Sequence, residues 1–264
     1  MPGTRKNSTA LIPIFISGAS SGIGEALARH YAKQGIALGL AARRQDALEA
    51  LAAALPGERA VYALDVSDTA AVARAAQDFM ARFGTPQLVI ANAGVSVGTR
   101  GEELSDVAKL RRVLDVNVCG LASTLAAFAP AMRAAGRGTL CGIASVAGVR
   151  GFPGSGAYSG SKAAAIAWLE ALRVEMRGSG VRIVTILPGY VATPLTRRNP
   201  FRMPFLLSVD DAARRIARAI AAGRSYAVIP WQMAIVSRIL RLLPPALFDR
   251  FFARTKRKPR DMAI

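Results

Sequence analysis

Six times along the chain, a short apolar run gives way to small or polar residues and then to a stretch whose apolar positions recur at helical spacing. The first run, L-I-P-I-F-I, covers residues 11–16, and Pro13 sets the start of pairing after itself because proline has no amide to give to a ladder. It ends in S-G-A-S-S-G-I-G and is followed by E-A-L-A-R-H-Y-A-K-Q-G, a helix stopped by Gly35. I-A-L-G-L-A-A predicts a second buried strand, with a helix over 45–55 behind it. A third strand ends at Asp65-Val66 before a helix over 68–83, and a fourth, L-V-I-A, ends at Asn92-Ala93-Gly94. Strands over 138–145, 181–187 and 225–229 complete a set of seven, the fifth ending at Ser145 and the sixth at Pro188-Gly189. Such alternation predicts an α/β fold, a doubly wound parallel sheet with helices on both faces.

On a sheet of that kind ligands bind beyond the carboxyl ends of the strands. Gly18, Arg43, Asp65, Asn92, Ser145 and Pro188 all fall there. The first turn carries Gly18, Gly22 and Gly24 in G-x-x-x-G-x-G spacing, with Ser20, Ser21 and Ile23 between them. Glycines let a backbone approach a pyrophosphate, and a helix N-terminus offers it free N–H groups; the same turn can also be purely structural. At the end of the second strand the position that would accept from a ribose hydroxyl is Ala42, followed by Arg43 and Arg44. The glycine turn on a parallel sheet is Rossmann-type, and guanidinium groups pair with a 2′-phosphate, which favours NADP(H) over NAD(H); otherwise the two arginines are solvated charges opening a helix. Asp65, beside Val66, suits the adenine edge, or with Ser67 caps the next helix. Asn92-Ala93-Gly94 suits a loop packed closely on a ligand. Asn117, inside an apolar helix, is either a satisfied core amide or part of the site.

Residues 145–162, S-V-A-G-V-R-G-F-P-G-S-G-A-Y-S-G-S-K, place Tyr158 and Lys162 four apart at the start of a helix. Residues so spaced share a face, and an ammonium beside a phenol favours its ionised form, giving a usable acid or base. The plainer interpretation is a packed tyrosine and a solvated lysine.

Hydrophobic residues make up 52% of the 264, enough for a substantial core. Cys119 and Cys141 lie in apolar stretches and His30 is the single histidine, so neither a zinc site nor a disulfide framework is indicated. The apolar run near the N-terminus is too short to span a bilayer and lacks a small-residue cleavage pattern, which argues against a signal peptide and for a cytoplasmic protein. A net charge of +18 implies attraction to an anionic partner. No nucleic-acid-binding motif accompanies it.

The order and spacing of S-G-A-S-S-G-I-G, Asn92-Ala93-Gly94, Asn117, Ser145, Y-S-G-S-K (Tyr158 to Lys162) and Pro188-Gly189 resemble the short-chain dehydrogenase/reductase family in its short, single-domain form, over roughly residues 10–230. The resemblance implies an NADP(H)-dependent oxidoreductase interconverting a ketone or aldehyde and an alcohol. Tyr158 would be the proton donor or acceptor, Ser145 would bond the carbonyl oxygen, and Lys162 would bind the nicotinamide ribose and lower the phenol pKa. Asn117 would anchor a water in the proton relay. Asn92 and Gly94 would line the cofactor, with Val191 and Thr193 on its carboxamide. It also implies a homo-dimer or homo-tetramer.

The expected organisation is a dinucleotide-binding and catalytic domain over 1–230, with a substrate lid near 194–208, and a basic amphipathic extension over 231–264. The lid mixes Phe201, Met203, Phe205, Leu206 and Leu207 with Arg197, Arg198 and Arg202, which suits a hydrophobic substrate (a lipid, long-chain 3-oxo or sterol-like compound) with an anionic end toward the arginines. In the extension, Pro244-Pro245 separates two short amphipathic helices followed by a basic tail. They suit peripheral association with an anionic membrane surface, or else cover the cleft or an oligomer interface with the tail solvated. The alternative to an enzyme is a dinucleotide-sensing or anionic-surface-binding protein on the same fold.

Overall fold

The computed structural model describes residues 13–261. The first nine residues, Leu11 and Ile12 of the predicted first strand, and residues 262–264 lie outside the described residues. Seven parallel strands form one sheet in the order β3-β2-β1-β4-β5-β6-β7. They are β1 (Ile14–Ser17), β2 (Leu38–Ala42), β3 (Arg59–Ala63), β4 (Leu88–Ala91), β5 (Gly138–Ile143), β6 (Val181–Pro188) and β7 (Tyr226–Ile229). The strand order reverses between β1 and β4, which opens a crevice at their carboxyl ends.

Alternation along β1 explains the two cores. Ile14 and Ile16 face α1 (Gly22–Ala32), α2 (Gln45–Ala53) and α8 (Val209–Ala221), where Leu27, Leu48 and Ile216 are fully buried with them. Phe15 faces the other way, into a cluster with Phe79 of α3 (Thr69–Phe83), Leu125 of α5 (Gly120–Ala126), Met132 of α6 (Ala129–Ala134) and Leu169 of α7 (Gly156–Glu175). Between α4 (Val107–Leu114) and α5, one π turn, Asp115–Cys119, carries Asn117. The Ser208 hydroxyl accepts the Asp211 amide and caps α8.

Some local expectations are corrected. The cap of α3 is Asp68, whose carboxylate accepts the Ala71 amide; Asp65 and Ser67 bond each other instead. Strand β5 stops at Ile143, because the Ser145 side chain takes the Ala147 amide and opens a 3-10 turn, Val146–Gly148. Cys119 is exposed despite its apolar neighbours, while Cys141 is buried.

After β7 come α9 (Trp231–Leu242) and α10 (Pro245–Phe252), split at the two prolines. Both pack on the loop between Ser145 and Tyr158. Arg150 Nη1 donates to the carbonyls of Leu240 at 3.1 Å and Leu243 at 2.8 Å, and its guanidinium lies 4.6 Å from the Phe248 ring centre. Phe152 packs against Phe248 and Phe252.

Candidate active site

The β1–α1 turn is fixed by Asn92 at the end of β4. Its Nδ2 donates to the carbonyls of Ser17 at 3.2 Å and Gly18 at 3.1 Å, while the Ser17 hydroxyl accepts the Asn92 amide. Gly18 has φ 68°, and a Cβ there would lie 2.6 Å from the Ala93 Cα, so the turn admits only glycine. Helix α1 begins at the crevice with no side-chain cap on Ser21, leaving its first amides to a ligand.

The crevice is a cavity of about 710 Å³. It gathers Gly18, Ser20, Ser21, Gly22 and Ile23 of the turn, Arg43 and Arg44 after β2, and Asp65 and Val66 after β3. Asn92, Ala93 and Gly94 after β4, Ser145, Tyr158 and Lys162, and Pro188, Gly189, Val191 and Thr193 at and beyond the end of β6 also line it. Gly24 does not line it. That glycine is buried under the turn, where a Cβ would strike the Gly18 carbonyl oxygen and stand 2.6 Å from Asn92 Nδ2. Its role is close packing of α1 on β1.

The two arginines differ. Arg44 Nη2 donates to the Ser20 carbonyl at 3.0 Å and hydroxyl at 3.2 Å, bracing the glycine turn. Arg43 is exposed at the cavity edge. Asp65 is committed to the protein: Oδ1 accepts the Ser67 amide and hydroxyl, and Oδ2 pairs with Arg112. Burial alone would raise its carboxyl; the Ser67 and Arg112 bonds overcome that and hold it at about 2.

Ser145, Tyr158 and Lys162 meet at the opposite end. Lys162 is buried, donates to the Ile143 carbonyl at 2.8 Å, and holds its nitrogen 5.9 Å from the Tyr158 ring centre. Burial pulls its amine down to about 8. Burial also raises the Tyr158 phenol, and the Ser145 hydroxyl offsets only part of that. Desolvation therefore dominates the phenol, and the group that lowers it is Ser145 rather than the expected Lys162. Ser145 Oγ accepts the Ala147 amide, which leaves its own proton to donate elsewhere.

Asn117 is completely buried and fully bonded. Its Oδ1 accepts the Val95 amide, and its Nδ2 donates to the Val95 carbonyl and to Ser161 Oγ, each within 2.9 Å. It ties the loop after β4 to the tyrosine helix. Of the lid, the residues at the cavity are Pro194, Leu195, Thr196, Arg197 and Arg198; Phe201, Met203, Phe205, Leu206 and Leu207 are not among its lining. Phe201 packs on Tyr190, while Phe205 and Leu206 are exposed.

Sequence reasoning missed the tail. Lys258 reaches back to Ser96 and Arg260 to Asp106, both in the segment after β4. The run T-K-R-K-P-R has no feature separating a docked charge from a solvated one.

The family model described as short chain dehydrogenase matches residues 13–201. An uncharacterized oxidoreductase of Myxococcus xanthus is 40% identical over 239 residues, covering 89% of this chain and 93% of that protein. Among solved structures, an alcohol dehydrogenase from Thermococcus sibiricus complexed with 5-hydroxy-NADP is 30% identical, with a TM-score of 0.72, covering 83% of this chain and 96% of that one. A short chain dehydrogenase/reductase from Burkholderia phymatum in complex with NAD is 27% identical, with a TM-score of 0.78, covering 96% and 98%.

Proposed function

From the premise that the chain belongs to the short chain dehydrogenase family, we propose that it is an NADP(H)-dependent oxidoreductase interconverting a ketone or aldehyde with an alcohol. The observation that carries this reading is the convergence of Ser145, Tyr158 and Lys162 on the cavity that the glycine turn and Arg43 open at its other end.

The donor set suits a dinucleotide. The uncapped start of α1 would take the pyrophosphate, Arg43 a 2′-phosphate, and Lys162 the ribose next to the nicotinamide. Val191 and Thr193 would hold the carboxamide end. When bound, the cofactor supplies or accepts the hydride. NADP(H) is favoured because Ala42 offers a ribose hydroxyl no carboxylate, whereas Arg43 stands at the cavity edge with its guanidinium exposed.

Reduction builds negative charge on the carbonyl oxygen, and preorganised donors stabilise it where it forms. The Ser145 hydroxyl and the Tyr158 phenol are two such donors. A phenol raised by burial stays protonated at neutral pH and is available as the acid. In the oxidising direction the same oxygen takes the proton back. Asn117 spends its side chain on Val95 and Ser161, so a water held here binds backbone groups of the π turn.

The proposed substrate is hydrophobic, met at an anionic membrane surface. Support comes from Trp231, Ile235, Ile239 and Leu242, exposed at helical spacing along α9, with Leu247 and Phe251 exposed on α10 and arginines beside them. The test of the reaction is a panel of ketones and alcohols, lipids included, with NADPH consumption followed and NADH as control. Reduction of ketones with NADPH, and weaker use of NADH, is the expected outcome; no turnover across the panel would defeat the reading.

A further inference from the structure

Beyond α10 the chain turns back and lays residues 257–260 across the active-site end of the sheet. The Gly98 amide donates to the Pro259 carbonyl at 2.8 Å. Arg260 grips the buried Asp106 with two bonds, Nε to Oδ2 at 2.8 Å and Nη2 to Oδ1 at 3.1 Å. Two glycines make the bed. A Cβ on Gly98 would strike the Lys258 carbonyl oxygen, and one on Gly154 would lie 2.7 Å from the Arg257 Cβ.

This seating carries Lys258 inward. Its Nζ donates to Ser96 Oγ at 2.7 Å and lies 5.5 Å from the Tyr158 ring centre, while the residue is only 8% exposed. Ser96 and Tyr158 both line the cavity. An ammonium has three donors, and its one protein hydrogen bond among the described residues uses one. The tail's ion pairs belong to Arg257 and Arg260; among the described residues no carboxylate lies within ion-pair distance of Lys258. Burying a cation without a counter-ion is costly, and buried charges are ordinarily paired. Desolvation holds this amine at about 8, so it is still largely charged at neutral pH.

We propose that Lys258 is a specificity residue of the active site, its ammonium pairing with a carboxylate carried by the substrate a few bonds from the carbonyl that Tyr158 protonates. The substrate class is then an oxo acid and the corresponding hydroxy acid, with any alkyl chain running away from the lysine. This places the substrate's anionic end on a buried cation rather than on Arg197 and Arg198, which are exposed and screened by water. The inference rests on Tyr158 marking the position of the reacting oxygen.

The test is equilibrium binding of short- to medium-chain 3-hydroxyalkanoates and their matched amides to the NADPH-loaded protein, where a hydroxy acid cannot react. Wild type should bind the acids at least about tenfold more tightly than the amides, and Lys258→Met should erase that preference while leaving the amides within about twofold. Arg260→Met, which unseats the tail without touching the ammonium, should weaken the acids in the same sense; thermal melting establishes that both variants are folded. Equal binding of acids and amides by wild type, or equal weakening of both by Lys258→Met, would overturn the proposal. Tighter binding of both by either variant would also overturn it, because the tail would then be a plug. None of these outcomes requires turnover. A wild type that bound the acids through Lys258 yet reduced no ketone would defeat the proposed reaction and the substrate class built on it, and leave the pairing of Lys258 with a carboxylate standing.

Discussion

Asn117 and Val95 are joined by a pair of hydrogen bonds, Asn117 Oδ1 accepting the Val95 amide at 2.8 Å and Nδ2 donating to the Val95 carbonyl at 2.9 Å. The amide thus imitates a strand partner for a loop that has left the sheet, and its third bond reaches Ser161 on the tyrosine helix. Asn117→Ala leaves the half-buried Val95 amide and carbonyl unpaired, while Ser161 keeps its bond to the Tyr158 carbonyl. The expected cost is about 2–3 kcal/mol of unfolding free energy, with a fall in turnover as the loop shifts. Denaturant unfolding and steady-state rates check it; unchanged stability would show that Val95 finds other partners.

Arg43 and Arg44 are predicted to separate cleanly. Arg43→Ala should raise KM for NADPH about tenfold or more and leave NADH nearly unaffected, since only NADPH carries the 2′-phosphate. Arg44→Ala should weaken both cofactors to a similar degree, because Arg44 braces the turn through Ser20. Steady-state kinetics with both cofactors distinguishes these patterns.

Lys162 illustrates a functional group that strains its fold. Its amine sits at about 8 in the folded chain against an unfolded value of about 10.4, so between those values the unfolded state binds more protons and stability rises with pH. The penalty is full below about 8 and gone above about 10.4. Lys162→Met should remove a penalty on the order of 3 kcal/mol and orphan the Ile143 carbonyl at about 1 kcal/mol, for a net gain of about 2 kcal/mol at neutral pH. The variant should be inactive yet more stable, and its advantage should fade by pH 10. Lys258, also held at about 8 by burial, is present in both proteins and drops out of the difference. Chemical denaturation across pH measures this directly.

These arguments rest on positions of unequal visibility in the sequence. The strand-end residues were legible because a parallel sheet forces every strand to deliver its last residue to one edge, so Gly18, Asn92 and Ser145 could be placed from local patterns alone. Gly24 belongs to the same glycine pattern, but nothing local distinguishes a glycine facing a phosphate from one packed under Gly18. Ser145 looked like the end of a strand and is instead the cap that ends it, a competition between side chain and ladder for one amide. The tail was illegible. Lys258 meets Ser96 across 162 residues, through backbone bonds and two glycines that leave no periodic signal, and a basic run ordinarily means solvated charge.

The exposed apolar stripe of α9 gives a membrane prediction independent of the chemistry. Trp231 and Ile239 are both more than half exposed, so replacing each with Glu should change stability by less than about 0.5 kcal/mol. Flotation with anionic liposomes should be lost in that double variant and retained by the wild type. Equal flotation of the two proteins would remove the stripe from the account.

The most direct measurement is the rate of ketone reduction by Tyr158→Phe, with NADPH binding determined on the same preparation. The account predicts that turnover falls at least about a hundredfold while NADPH affinity stays within a few-fold, because the phenol supplies the proton and the glycine turn, Arg43 and Lys162 remain. Turnover within a few-fold of wild type would contradict it and take the proton donor away from Tyr158.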